Sequence, residues 1–195
     1  MELVAAPANA RVRRSFAFVD VRGFTALAED HGDDAAVQAL QEFRACVRAA
    51  CGHYGVRVSR WLGDGAMLVG VDTTQLVCAA FEVVMTDVDT AYRLRTGAGV
   101  AVGEVLVFEG DDYIGRNVNL AARLCDVARA GELLAACAVA EELPDSLEMT
   151  RRSPLCISGF RAPVEVGVVS LRGGEQEATA PSRISAPRDV LRTAR

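Results

Sequence analysis

Phe18-Val19-Asp20-Val21-Arg22-Gly23-Phe24-Thr25 is the stretch from which the rest of the chain can be read. Ser15 to Val21 is a nearly unbroken apolar run interrupted at Asp20, the pattern of a central strand that delivers one acid at its end. Gly23 then permits a tight turn, and a first helix beginning near Thr25 would leave its leading backbone N–H groups unpaired. Asp33 and Asp34 suit the N-terminus of a second helix, along which Val37, Leu40, Phe43, Val47 and Ala50 recur at helical spacing. Past Gly52 and Gly55, Val56 to Trp61 alternates apolar and polar residues and predicts a strand. Gly63-Asp64-Gly65 reads as a hairpin turn and Ala66 to Val71 as the returning strand. If these strands pair, Asp20 and Asp64 lie at neighbouring strand ends.

Working outward, Thr74 to Arg93 predicts a long helix and Ala98 to Phe108 a strand followed by an acidic turn, Glu109 to Asp112. Asn117 to Arg129 predicts a third helix with Leu120, Ala121, Leu124, Val127 and Ala128 on one side. Gly131 ends it. A short strand at Leu133 to Ala136, a brief helix near Val139 to Leu143, and strands at Leu155 to Ser158 and Val164 to Leu171 complete the order. That order describes an α+β domain, a mixed sheet with helices on one face. The expected organisation is a flexible lead over residues 1–13, one domain over 14–171 and a flexible tail over 172–195, with no module attached.

The chain has 195 residues, is half apolar, and carries a net charge of −5. One domain with a real core is the expected scale. The charge gives no reason to expect nucleic acid, whose binding surfaces cluster Lys and Arg on one face. No window approaches about 18 uninterrupted apolar residues, so no membrane span is expected. The six cysteines form no C-x-x-C pair and read as buried thiols in a reducing compartment, which makes the cytoplasm the expected location. With only two histidines, zinc chemistry built on histidine is not expected.

Two acids at adjoining strand ends can clamp the hard cations that phosphoryl chemistry on a nucleoside triphosphate requires. The turn through Gly23, Phe24 and Thr25 opens a helix whose free N–H groups can cradle phosphates. Residue by residue the plainer alternative is preferred: Asp20 caps a helix and Asp64 occupies a turn.

Three segments taken in order carry more weight. Phe18 to Thr25, Leu62-Gly63-Asp64-Gly65, and Asp111-Asp112-Tyr113-Ile114-Gly115-Arg116-Asn117-Val118-Asn119-Leu120-Ala121-Ala122-Arg123 together resemble the class III adenylate and guanylate cyclase family. The resemblance runs from about residue 14 to 171 and includes a closing segment at Ile157 to Phe160. It implies a ferredoxin-like mixed sheet and a homodimer whose active sites form between subunits. It also implies two divalent cations, Mg2+ or Mn2+, bound by Asp20, Asp64 and the Val21 carbonyl. Asn119 matches the asparagine that orients the ribose, and Arg123 the arginine that stabilises the transition state. The reaction implied is conversion of a nucleoside triphosphate to a cyclic nucleotide and pyrophosphate.

Base choice departs from the pattern. Arg60 stands where lysine is usual in adenylate cyclases and glutamate in guanylate cyclases, and Asp112 matches the acceptor for the adenine amino group. The pair favours ATP, with GTP, a pyrimidine triphosphate and a degenerate non-catalytic protein as alternatives. Ser158 replaces the lysine that many relatives place before the closing glycine, where it contacts the terminal phosphates. Arg161, Arg151 and Arg152 are candidates to supply the missing cation.

Overall fold

The structure is a computed structural model and describes residues 11–86, 94–109 and 112–173. Its elements run β1 (Arg11–Val21), α1 (Phe24–His53), β2 (Arg57–Leu62), β3 (Gly65–Gly70), α2 (Thr73–Met85), β4 (Thr96–Phe108), β5 (Asp112–Ile114), α3 (Arg116–Val127), β6 (Leu133–Ala136), a 3-10 turn at Cys137–Glu142, β7 (Leu147–Arg151) and β8 (Val166–Leu171). One eight-stranded sheet holds them in the order β2-β3-β1-β4-β6-β8-β7, with β5 hairpinned onto β4. The β4–β6 pair is parallel and the other strand pairs are antiparallel. The first half, β1-α1-β2-β3-α2-β4, is the ferredoxin-like unit, and β6 to β8 extend its sheet beyond β4.

The period-two alternation of the central strands divides the core. Ala17, Val19, Leu68, Ala98 and Val100 face α1 and α2, where Phe43, Val47, Leu76, Val77, Val83 and Val84 are fully buried. Full burial of each large apolar side chain contributes about 1.5–3 kcal/mol. Phe16, Met67, Ala101 and Leu134 face the other way, onto Leu120, Ala121 and Leu124 of α3. Helices therefore cover both faces of the sheet, not one. Gly99 sets how closely α3 approaches β4, since a Cβ there would fall on the backbone of Ala121, Leu124 and Cys125.

Several boundaries differ from the sequence reading. β1 begins at Arg11, so residues 11–13 are strand and not a flexible lead. The two expected helices after Gly23 are one element broken at Gly32, whose φ of 82° and ψ of 174° lie outside the helical region. Helix α2 ends at Met85, where Thr86 turns extended, earlier than the expected Arg93; residues 87–93 lie outside the described residues. Leu155 to Ser158 is no strand: Leu155 makes a single bridge to Val164, and β7, which the sequence reading did not assign although Leu147-Glu148-Met149-Thr150 alternates, takes the edge beside β8. Val127 is half exposed at the end of α3. Cys156 is exposed while Cys51 and Cys125 are buried, so the thiols are not uniformly internal. The expected tail lies outside the described residues beyond Gly173.

Candidate active site

Antiparallel pairing of β1 with β3 sets Asp20 opposite Gly65 and so brings it beside the turn that carries Asp64. The Val21 N–H donates to the Asp64 carbonyl at 3.1 Å and fixes the two segments to each other. Gly65 is needed for this approach: a Cβ there would lie 2.9 Å from Asp20 Oδ1 and 3.0 Å from the Val19 carbonyl oxygen. Partial burial and the neighbouring Asp64 charge push the Asp20 carboxyl up to about 6, with Arg22 acting in the opposite direction and Asp126 adding to the rise. The ionised carboxylate is thus disfavoured at this position, and Arg22 offsets that only in part.

Immediately after Asp20, Gly23 adopts φ 81° and ψ 10°, a left-handed conformation that side-chain-bearing residues rarely take. Helix α1 starts at Phe24, and no side chain caps its first turn. Leading N–H groups of a helix have no partner within it, so this turn presents uncapped backbone donors next to the two acids.

Among the described residues, no three His, Cys, Asp or Glu side chains converge as a metal cluster. The donors on hand are two carboxylates and, with them, backbone carbonyls such as that of Val21. This set suits Mg2+ or Mn2+, which take one or two carboxylates and complete their shells with water and phosphate oxygens.

Asn119 and Arg123, one helical turn apart on α3, are both exposed and line an open groove of about 710 Å³ with Arg116, Ser158, Phe160 and Arg161. Neither Asp20 nor Asp64 lines that groove. Arg123 Nη1 instead donates to Asp126 Oδ2 at 2.8 Å, with both side chains more than half exposed. Arg116 lies over the Phe160 ring at 5.0 Å, which braces the closing segment against the start of α3. Of the cations weighed against Ser158, Arg161 shares the groove, whereas Arg152 is bound to the buried Glu132 at 2.5 Å and Arg151 lies on the edge strand β7.

Arg60 and Asp112 form an ion pair with each other on the α3 side of the sheet. Trp61, the next residue, points the opposite way and packs edge-on against Phe43, with Arg44 and Arg48 over its ring at 5.1 and 5.2 Å. It braces α1 and does not flank the Arg60–Asp112 pair.

The sequence reading missed the side chain of Arg22. Its Nη1 donates to Asp20 Oδ2 at 2.9 Å, and its Nη2 donates to the Cys125 carbonyl at the end of α3. The available signal was spacing: Arg22 directly follows β1 and stands two residues from Asp20, the period at which an extended chain repeats a face.

No family model matches the chain. An uncharacterised protein of Mycobacterium tuberculosis is 37% identical over 163 residues, which is 84% of this chain and 43% of that protein. A pH-sensitive adenylate cyclase of Mycobacterium tuberculosis is 40% identical over 89 residues, 45% of this chain and 22% of that protein. The chain thus spans less than half the length of these curated relatives. Among solved structures, the adenylyl cyclase CyaB from P. aeruginosa aligns with a TM-score of 0.73 and 24% identity, covering 84% of this chain and 96% of that one. The guanylyl cyclase Cya2 aligns with a TM-score of 0.75 and 21% identity, covering 87% and 97%. The chain has the fold of the class III adenylyl and guanylyl cyclase catalytic domain.

Proposed function

We propose that this domain is a nucleotidyl cyclase that works as a homodimer and converts ATP to 3',5'-cyclic AMP and pyrophosphate. The observation that carries this reading is the meeting of Asp20 and Asp64 beside the Gly23 turn, while Asn119 and Arg123 stand together in a separate, arginine-lined groove. A site divided in this way is completed by a second copy, and a twofold axis then builds two equivalent sites.

In this reading Asp20, Asp64 and the Val21 carbonyl would hold two divalent cations, Mg2+ or Mn2+. When bound, these activate the ribose 3'-hydroxyl and balance the charge of the triphosphate. The N–H groups of Gly23, Phe24 and Thr25 bind the β- and γ-phosphates. From the partner chain, Asn119 orients the ribose without adding charge, and Arg123 offsets the charge that develops at the α-phosphate. Its exposed pair with Asp126 is worth at most about 1 kcal/mol, so Arg123 is readily released for that role. Arg161 supplies the cation missing at Ser158, assisted by Arg116. The Arg60–Asp112 pair opens around the base: Arg60 donates to an adenine ring nitrogen and Asp112 accepts from the amino group. The six free thiols agree with a cytoplasmic location; no helix among the described residues is long and apolar enough to cross a membrane.

The reading is tested with the purified protein, ATP, GTP, CTP and UTP in parallel, each with Mn2+ and Mg2+, and products identified by mass. Cyclic AMP is the expected main product. Another cyclic nucleotide would keep the chemistry and overturn the roles of Arg60 and Asp112; none from any substrate would overturn the enzyme.

Metal binding should also depend on pH. Asp20 titrates at about 6 in the metal-free fold, above the ordinary 3.8. Its protonated form therefore contributes stability that is full below the ordinary value and is lost as pH rises through about 6. A cation competes with that proton, so the apparent Mn2+ dissociation constant should rise up to about tenfold per unit as pH falls below 6. A flat calorimetric profile between pH 5 and pH 7 would remove Asp20 from the metal site.

A further inference from the structure

We infer that Arg22 is a positioning residue that ties Asp20 to the C-terminal end of α3, and so links the two separate halves of the functional surface within one chain. The inference rests on the reading of Asp20 as a metal ligand and adds to it a residue which that reading does not use.

The guanidinium spans two elements with one rigid fork. Nη1 donates to Asp20 Oδ2 at 2.9 Å, while Nη2 donates to the Cys125 carbonyl and lies 3.7 Å from Cys125 Sγ. Burial pushes the Cys125 thiol up to about 12, so the fork meets a neutral thiol and a carbonyl there. The Cys125 carbonyl also accepts from the Ala128 N–H at 3.1 Å, so Arg22 brings it a second donor, and a cation placed there favours the negative end of the helix. The fork is seated and not adventitious. Arg22 N–H donates to the Arg95 carbonyl at 2.8 Å, which fixes its backbone. Gly97 leaves the space: a Cβ there would stand 2.6 Å from Arg22 Nε and 2.7 Å from Nη2. Arg22 is about three-quarters buried along its side chain.

The consequence follows from rigidity. Both carboxylate oxygens of Asp20 are placed, Oδ2 by the fork and Oδ1 over Gly65. The same fork holds the turn of α3 that follows Arg123 and contains Asp126, the resting partner of Arg123. A lysine has the charge but no fork, and cannot make both bonds at once.

Charge and position make opposite predictions, which makes the role testable without turnover. A cation beside a metal ligand repels the metal, so an Arg22 that acted only as a charge would, on Arg22→Met, give tighter Mn2+ binding. A positioning Arg22 gives weaker binding on Arg22→Met, by about five- to tenfold, and also on Arg22→Lys, because an unrestrained carboxylate must be ordered when the ion binds. Mn2+ titration by calorimetry reads this, with circular dichroism to confirm the fold of each variant. Hydrogen exchange at Cys125 to Ala128 reads the second half: adding Mn2+ should slow exchange there in the unaltered protein and leave both variants unchanged. Tighter binding by Arg22→Met, or unaltered binding by both variants, overturns the positioning role; Mn2+ protection of α3 that persists in both variants overturns the link. Because neither readout needs catalysis, a protein that forms no cyclic nucleotide yet shows both effects would sink the proposed reaction and leave this inference standing.

Discussion

Asp20→Ala and Asp64→Ala are each expected to lower cyclic nucleotide formation on the order of a thousandfold or more, about 4 kcal/mol of barrier, without loss of fold. The size of the effect follows from the donor set. Among the described residues two carboxylates meet at this end of β1 and no three converge as a metal cluster, so each would be a large share of the protein's hold on two doubly charged ions. The expected stability effect has the opposite sense. Asp20 is pushed up to about 6 by partial burial and by Asp64, which means that its ionised form is unfavourable in the metal-free fold at neutral pH. Thermal melting of metal-free Asp20→Ala at pH 7 should therefore show a midpoint no lower than that of the unaltered protein. Turnover within about tenfold of the unaltered rate would exclude the substituted acid from the metal site. A large fall in melting midpoint would instead show that Asp20 holds the fold.

The second large effect concerns the division of the site between chains. Asp20→Ala and Arg123→Ala should each be inactive alone, yet mixing them should restore activity. Random pairing makes about half of the dimers mixed, and each mixed dimer has one intact site of two, so recovery should approach about a quarter of the unaltered rate. The matched control is Asp20→Ala with Asp64→Ala, which leaves a damaged acid in both sites and should recover nothing. Recovery confined to the first mixture would support Asn119 and Arg123 acting across the interface. With mixed dimers confirmed by mass, no recovery in the first mixture would mean that acids and arginine serve one site within a single chain.

The local readings that succeeded rested on short-range physics. An apolar strand that ends in an acid, a glycine that permits the turn, and a glycine-flanked hairpin are set by residues close in sequence, and they located β1, β3 and the turns at Gly23 and Asp64. The limits of reading by pattern appear at β7, a five-residue edge strand whose alternation, Leu147-Glu148-Met149-Thr150, is too short to stand out, and at Leu155 to Ser158, whose apolar residues serve the packing under α3 and not a strand. The helices also cover both faces of the sheet. Element order alone does not fix that arrangement, because it depends on the close α3–β4 contact that Gly99 allows.

The candidate site divides in the same way. Residue types and their order are legible in the chain alone: the acids at Asp20 and Asp64, the Gly23 turn, Asn119 and Arg123 one turn apart, Arg60 in place of lysine and Ser158 in place of a cation. Which of them meet is a matter of the folded chain. It brought Asp20 to the Asp64 turn through the β1–β3 register, kept Arg123 away from both acids on Asp126, turned Trp61 away from Arg60, and set Arg161 but not Arg152 in the α3 groove. It also joined Arg22 to Cys125, 103 residues later in the chain. The reason is physical. Turns and amphipathic faces follow from local backbone sterics and periodicity, whereas these meetings depend on strand register and on how closely a helix can approach a sheet, both of which are settled by packing among residues far apart in sequence.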